Sequence, residues 1–239
     1  MTWLWLTSFS LALAAAAQAA TISGGVVLEN SREASVRRQK DYSGVVISLT
    51  RLGSPAPERP PRQTAARMDQ RNKTFIPHIL AVEVGATVEF PNNDPIFHNA
   101  FSNYDGQLFD LGLYPPGTTR KVTFHRPGVV RVFCNIHASM SAVIVVLTTP
   151  WFTVTPASGQ FAIHGVPPGE YSLRVFHERA TSATLQALER RVVVGSGDVS
   201  VGVIRVSEAG YLVVPHTNKY GKPYDPHGDD LPLYPAARK

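Results

Sequence analysis

The feature that most constrains the fold of this chain is a series of short β-type segments, each ending near a proline or a glycine. The sequence has 18 glycines and 19 prolines in 239 residues, which leaves little room for long helices. Residues 121–124 alternate polar and apolar side chains, and residues 129–134 and 142–147 are β-branched runs of strand length. Only residues 183–191 have a helical spacing of leucines. The sequence therefore predicts an all-β fold.

The N-terminus has the pattern of a signal peptide. Residues 2–17 are apolar and uncharged, and Ala17-Gln18-Ala19 has the small-x-small pattern that precedes a cleavage site. The apolar run is short for a membrane span. We therefore expect residues 1–19 to be a signal peptide and the mature protein to be periplasmic or otherwise exported. A membrane tether would follow only if this segment stayed uncleaved.

Two changes of composition divide the remaining chain. Residues 53–62 contain four prolines and predict a linker, and residues 148–150 predict a second boundary. We expect one domain over residues 65–149. Residues 211–239 are rich in proline, glycine and charge, and predict an extended tail.

Positive charge is concentrated in one part of the sequence. Residues 32–73 hold ten Lys or Arg and four Asp or Glu, a local balance of +6, whereas the whole chain has a net charge of +5. This stretch predicts either a solvated linker or a surface that docks an acidic partner. Aromatic residues are not interleaved with the basic ones, so nucleic acid is not indicated as a partner.

Candidate metal ligands are concentrated in one short run. Cys134, the only cysteine, is followed three positions later by His137 and three beyond that by Met140. A lone thiol in an exported protein has no internal disulfide partner, and a bound metal would protect it. Thiolate, imidazole and thioether donors between two predicted strands are typical of a blue copper site, and His98 is the best candidate for its second histidine. Asn99 is expected to hydrogen-bond to the Cys134 loop and support the site.

Other chemistries use similar residues. Methionine is a poor zinc ligand, and a closed zinc site needs four Cys, His or carboxylate donors. A Cys–His nucleophile pair is disfavoured because neither a helix start nor a glycine-rich oxyanion loop lies beside Cys134. His216 and His227, with Asp229 and Asp230, form a weaker second metal candidate in the tail. The other histidines are expected to be structural or solvent-facing: His78, His125, His164 and His177.

The ligand run also carries a family resemblance. Residues 134–140 and 97–99, with residues 73–77 ahead of a Val-Gly-x-x-Val stretch, resemble the amicyanin-like, methylamine-utilisation-type branch of the cupredoxins over roughly residues 66–147. The resemblance implies a Greek-key β-sandwich with one type 1 copper, and it implies that His137 lies near the surface under an apolar patch where electrons leave. The ligands that it implies are His98, Cys134, His137 and Met140.

The flanking sequence carries a second resemblance. Residues 22–27 and 44–49 look like the opening strands of carboxypeptidase-regulatory-like, transthyretin-type sandwiches. Residues 158–161 and 166–171 are similar to the later strands and turn of that family. This order implies one small β-sandwich, formed by residues 21–53 with 150–210 and split by the copper domain. An independent C-terminal sandwich is the alternative.

These features predict a one-electron carrier rather than an enzyme. A copper oxidase or nitrite reductase needs a second copper, and the sequence lacks the His-x-His pattern that often supplies its ligands. A copper chaperone or sensor is the alternative, but the chain has only 3 methionines for the exposed clusters that such proteins favour. The expected partners are redox proteins, either a dehydrogenase or a cytochrome.

Overall fold

The computed structural model describes residues 19–53, 66–103, 106–213 and 215–225. These residues form mostly β-structure in several sheets, which confirms the predicted fold class. The strands are β1 (Ala20–Glu29), β2 (Val46–Arg51), β3 (Ala66–Arg67), β4 (Asp69–Arg71), β5 (Thr74–Ile76), β6 (Ile79–Glu83), β7 (Thr87–Pro91), β8 (Phe101–Ser102), β9 (Phe109–Asp110), β10 (Thr119–Thr123), β11 (Gly128–Phe133), β12 (Ser141–Leu147), β13 (Phe152–Val154), β14 (Gln160–Val166), β15 (Gly169–Phe176), β16 (Arg190–Val194) and β17 (Val199–Ser207). The helices are α1 (Ala34–Gln39) and α2 (Ser182–Ala187).

The outer part of the chain forms one pair of sheets, which we call the flanking sandwich (residues 20–51 and 152–207). One sheet has the strand order β14-β1-β17, and the other has β13-β2-β15-β16. Side chains from both sheets enclose one apolar core, which includes Ile22, Leu49, Tyr171 and Leu173. Strands from before residue 52 and after residue 151 thus share a core, although about a hundred residues separate them in sequence.

The intervening residues form a second unit, which we call the inserted sandwich (residues 66–147). Its sheets have the strand orders β10-β7-β3 and β6-β12-β11-β8-β9, and β4 and β5 form a separate two-stranded sheet. Val88 and Phe90 from one sheet pack with Val130 and Ile144 from the other in a core that also contains Cys134. This core therefore surrounds the end of β11, where the candidate ligand run begins.

The two sandwiches contact each other through an apolar cluster and a polar one. Val46 of β2 packs with Ile79 and with residues of β12. Beside this cluster, His78 Nε2 donates to the Glu178 carboxylate at 2.8 Å, and its Nδ1 lies 3.0 Å from the Ser141 carbonyl. His78 therefore joins the inserted sandwich to the flanking one, and its side chain is still 45% exposed, in agreement with the solvent-facing histidine that the sequence suggested.

The His78–Glu178 pair should make stability depend on pH. The hydrogen bond to Glu178 raises the pKa of His78 against the opposing effect of burial. Burial alone would raise the pKa of Glu178, but the bond to His78 and the neighbouring charges lower it. The stabilisation by His78 is complete below its unfolded pKa of about 6.5 and is lost as the pH rises through its raised folded pKa. The stabilisation by Glu178 is lost as the pH falls through the lowered pKa of this carboxyl in the folded protein.

We therefore expect His78→Gln to lower the free energy of unfolding most at mildly acidic pH. The loss should be about 0.5–1 kcal/mol near about pH 6, because the pair is partly exposed, and smaller near about pH 9. Urea unfolding at the two pH values measures the difference. His125→Gln, at an exposed position of the inserted sandwich, is the control. An equal loss from His78→Gln at both pH values would contradict the assignment.

The helices differ from the sequence prediction in two respects. The predicted helix at residues 183–191 is present but shorter, because Arg190 pairs with Leu173 and begins β16. Thr181 caps its N-terminus by accepting a hydrogen bond from the Thr184 amide. Helix α1 was not predicted. Val36 is its only buried residue, so the sequence shows no helical spacing of apolar residues there.

Several sequence predictions fall outside the described residues. These are most of the signal peptide (residues 1–18), most of the linker (residues 54–62), and the tail residues His227, Asp229 and Asp230. Within the described ranges, no helix is both long enough and apolar enough to cross a membrane.

Candidate metal centre

The candidate ligand run forms a tight loop between two paired strands. The last residue of β11, Phe133, pairs with the first residue of β12, Ser141. Within the loop, the Cys134 amide donates to the Met140 carbonyl at 3.1 Å, and the Met140 amide donates to the His137 carbonyl at 3.2 Å. The backbone thus fixes the loop at both ends and preplaces its side chains.

His98 reaches the same point from a distant part of the chain. It lies between β7 and β8, and its backbone pairs with Tyr114 through two hydrogen bonds of 3.2 and 2.9 Å. This bridge fixes the backbone on either side of the imidazole. The position of His98 therefore depends on the inserted sandwich as a whole rather than on local sequence.

Three donor atoms converge in this structure. Cys134 Sγ lies 3.8 Å from His98 Nδ1 and 3.6 Å from His137 Nδ1, and the two ring centroids are 4.9 Å apart. These potential ligand atoms all lie within 4.8 Å of one another, and each of the three side chains is 0% exposed. Such an arrangement suits an ion placed between two imidazole nitrogens and one sulfur.

Asp94 fixes the orientation of the His98 ring. Its Oδ2 accepts a hydrogen bond of 2.7 Å from His98 Nε2, which leaves Nδ1 as the free lone pair facing Cys134. A carboxylate behind a metal-binding histidine sets the tautomer in this way in many metal sites. Asp94 was not predicted as a partner of His98, although it lies four residues before it in sequence.

The carboxylate itself is held in the ionised form. Burial alone would raise the pKa of Asp94, but hydrogen bonds from the Lys73 and Asn72 amides and from His98 lower it. Burial also lowers the pKa of His98, more than the neighbouring carboxylate raises it. A neutral imidazole beside an ionised carboxylate is the protonation state that a metal ligand needs.

Asn99 connects the His98 strand to the cysteine loop. Its Oδ1 accepts a hydrogen bond of 3.2 Å from the Asn135 amide, and its Nδ2 donates to Asp110 at 2.8 Å. Asn99 is almost completely buried. Asn99 thus hydrogen-bonds to the Cys134 loop, and its effect on a bound metal stays a prediction.

Met140 completes the candidate set. It is 0% exposed and packs in the same core cluster as Cys134. A buried thioether near an N₂S donor set fits a type 1 copper site, in which methionine is a weak axial ligand. A closed zinc site fits less well, because it would need a fourth strong donor. Full burial of the Cys134 thiol also disfavours a catalytic nucleophile, which needs access to substrate.

The His137 side chain is 0% exposed. The family resemblance implied a ring near the surface under an apolar patch; full burial is compatible with a position beneath such a patch, and the route for electrons stays a prediction. Ala138 and Ser139 are the exposed residues of the loop.

None of the other described histidines belongs to the three-donor cluster. His164 is exposed and contacts the Thr21 hydroxyl at 3.2 Å. His177 is buried in the flanking sandwich, and its Nε2 donates to Glu208 at 2.8 Å. His216 stacks on Phe133 with ring centroids 4.0 Å apart.

The fold and the site together define a mostly β protein with a buried His₂Cys centre and a nearby methionine. No family model matches the chain. A stretch of 59 residues, 24% of this chain, is 41% identical to the methylamine utilization protein MauL of Methylorubrum extorquens AM1. The match covers 52% of that protein, so the chain spans about half the length of this curated relative.

Three solved structures give further similarities, each with a TM-score of 0.33. The Cu-containing nitrite reductase NirK from Thermus scotoductus SA-01 has 27% identity over 41% of this chain and 25% of its own. A purple cupredoxin from Nitrosopumilus maritimus has 24% identity over 34% of this chain and 99% of its own. A mutant of amicyanin in its oxidised state has 22% identity over 35% of this chain and 82% of its own.

Proposed function

We propose that this chain is an exported type 1 copper protein of the cupredoxin class that carries single electrons between redox partners. The ligands are His98, Cys134, His137 and Met140. The observation that supports this proposal most strongly is the convergence of two Nδ1 atoms and one Sγ, all fully buried. Copper bound there would supply one electron by alternating between its two oxidation states.

The surrounding residues supply what such a centre needs from the protein. Asp94 fixes the His98 tautomer, and Asn99 ties the His98 strand to the cysteine loop. Both contacts restrict the movement of the ligands, so little rearrangement would accompany a change in charge. We infer that the inserted sandwich preorganises the centre.

Burial favours a carrier over a copper chaperone or sensor. Transfer of a metal ion to another protein requires a ligand that the receiving protein can reach, and all three donor side chains are 0% exposed. An electron can cross a few ångströms of packed protein without such access. A copper enzyme would need an open coordination position for its substrate, whereas full burial of these donors favours a closed site.

The proposed location and partner are supported by features outside the metal centre. The apolar N-terminus and the lone cysteine support export, and the flanking sandwich is proposed to be a transthyretin-type spacer or docking module. The proposed redox partner is a co-exported dehydrogenase or cytochrome, and the match to a methylamine utilization protein supports methylamine utilization as the setting.

The experiment that tests this function is a metal titration of the purified, metal-free protein. We expect one equivalent of Cu(II) to bind and give intense blue absorption, with reversible one-electron reduction and weaker binding of Zn(II). After that reduction, the copper should stay bound in the presence of a Cu(I) chelator that strips a chaperone. A colourless, zinc-preferring protein would overturn the copper assignment. Rapid loss of copper to the chelator would overturn the carrier role.

A further inference from the structure

The residues after β17 return to the candidate metal centre. We call residues 215–225 the C-terminal segment. Tyr224 Oη donates to the Cys134 carbonyl at 2.9 Å, and His216 Nε2 donates to the Ala138 carbonyl at 3.1 Å. The Lys219 amide donates to Asn135 Oδ1 at 3.0 Å. Three positions of the ligand loop are thus bonded to a segment that lies 78 to 90 residues away in sequence.

Aromatic rings pack the same segment against the site. The His216 ring lies on Phe133 with centroids 4.0 Å apart and planes at 29°, and Tyr224 contacts His216 edge-on at 5.2 Å. Phe133 is the covalent neighbour of Cys134 and is almost fully buried. These contacts cover the β11 end of the loop with apolar surface.

A ring of hydrogen bonds links the segment to both ligand-bearing parts of the chain. Lys219 Nζ lies 2.8 Å from Asp110 Oδ2, and the same carboxylate accepts from Asn99. Asn99 in turn accepts from the Asn135 amide, and Asn135 Oδ1 accepts from the Lys219 amide. Asn99 follows His98, and Asn135 follows Cys134, so the ring spans the two approaches to the centre.

We propose that the C-terminal segment is a wall of the metal centre, which holds the Cys134–Met140 loop closed and limits access of small molecules to Cys134. The hydrogen bonds of this segment concentrate on the one loop that supplies three candidate ligands. The wall leaves Ala138 and Ser139 exposed, so a redox partner would meet the centre at that edge. Only the part that concerns bound copper rests on the proposed function.

The wall can be tested without metal, because Cys134 is the only thiol in the chain. A reagent such as iodoacetamide reaches a buried thiol only when the structure around it opens, so the alkylation rate measures opening. Tyr224→Phe removes one hydrogen bond and keeps the ring. We expect it to raise the alkylation rate about fivefold, as the loss of one net hydrogen bond implies. Adding His216→Phe, which keeps a stacking ring, should raise the rate further, to about twentyfold.

Tyr171→Phe is the matched control. The Tyr171 hydroxyl also donates to a backbone carbonyl, that of Pro167 at 2.8 Å, but it lies in the core of the flanking sandwich. This variant should leave the alkylation rate of Cys134 unchanged. Equal rates in all variants would overturn the wall, and so would an equal rise in Tyr171→Phe and Tyr224→Phe, since general destabilisation would then explain both.

A second experiment, on the copper-loaded protein, distinguishes this inference from the proposed function. If copper binds as proposed, ascorbate should reduce the Tyr224→Phe protein faster than the unsubstituted protein. If Tyr224→Phe raises the alkylation rate but leaves the rate of reduction by ascorbate unchanged, the wall limits access only in the metal-free protein. Its role toward bound copper would then be overturned. A protein that binds no copper but shows the alkylation difference would refute the proposed function and leave the wall intact.

Discussion

Replacing Cys134 by serine should abolish the blue absorption of the copper-loaded protein and lower its copper affinity by more than about a hundredfold. Sulfur is the soft donor of the set, and the colour of a blue copper site depends on the copper–thiolate bond. The thiol lies close to both imidazole Nδ1 atoms, at 3.6 and 3.8 Å, and it is the one sulfur in the three-donor cluster of the described residues. Visible absorption and competition with a chelator of known affinity measure the two effects.

Asp94→Asn is the graded control for this result. Asparagine keeps the shape of the side chain and a carbonyl that can accept from His98 Nε2, but it removes the charge. We expect the blue colour to persist and the copper affinity to fall about tenfold, at the lower end of the range for residues that orient a ligand. Retention of colour or of full affinity in Cys134→Ser would show that this sulfur is not a ligand.

The parts of the site that are close together in sequence could be predicted from it. Residues 134–140 lie between two β-branched runs, so a strand–loop–strand unit with preplaced donors follows from local pattern alone. His98 was a harder prediction, made from its position after a strand and from the ligand set that copper needs. The structure places it 3.8 Å from the Cys134 sulfur.

The parts of the site that depend on long-range packing could not be predicted. Asp94 was not identified because an acidic residue in a polar loop has no pattern that marks it as a partner of histidine. Residues 211–239 were expected to be an extended tail on composition, and residues 215–225 of it contact the ligand loop. Their contacts with the ligand loop arise from single side chains such as Tyr224, and no repeating pattern in the sequence predicts such contacts. Helix α1 was missed for a related reason, since burial of one residue, Val36, produces no amphipathic signal.

The two cores should respond separately to cavity-forming substitutions. Leu173 lies in the core of the flanking sandwich and Ile144 in that of the inserted sandwich, and both are 0% exposed. Replacement of either by alanine should lower the free energy of unfolding of its own core by about 2–5 kcal/mol. Thermal or urea unfolding, followed by circular dichroism, measures each loss.

Copper then distinguishes the two variants. A metal that binds only the folded inserted sandwich stabilises that unit by mass action and has no direct effect on the other. Added copper should therefore recover much of the stability lost in Ile144→Ala and little of that lost in Leu173→Ala. The junction between the sandwiches, formed by Val46 with β6 and β12 and by the His78–Glu178 pair, is small compared with either core. Equal recovery of both variants would mean that this junction makes the two sandwiches unfold as one unit.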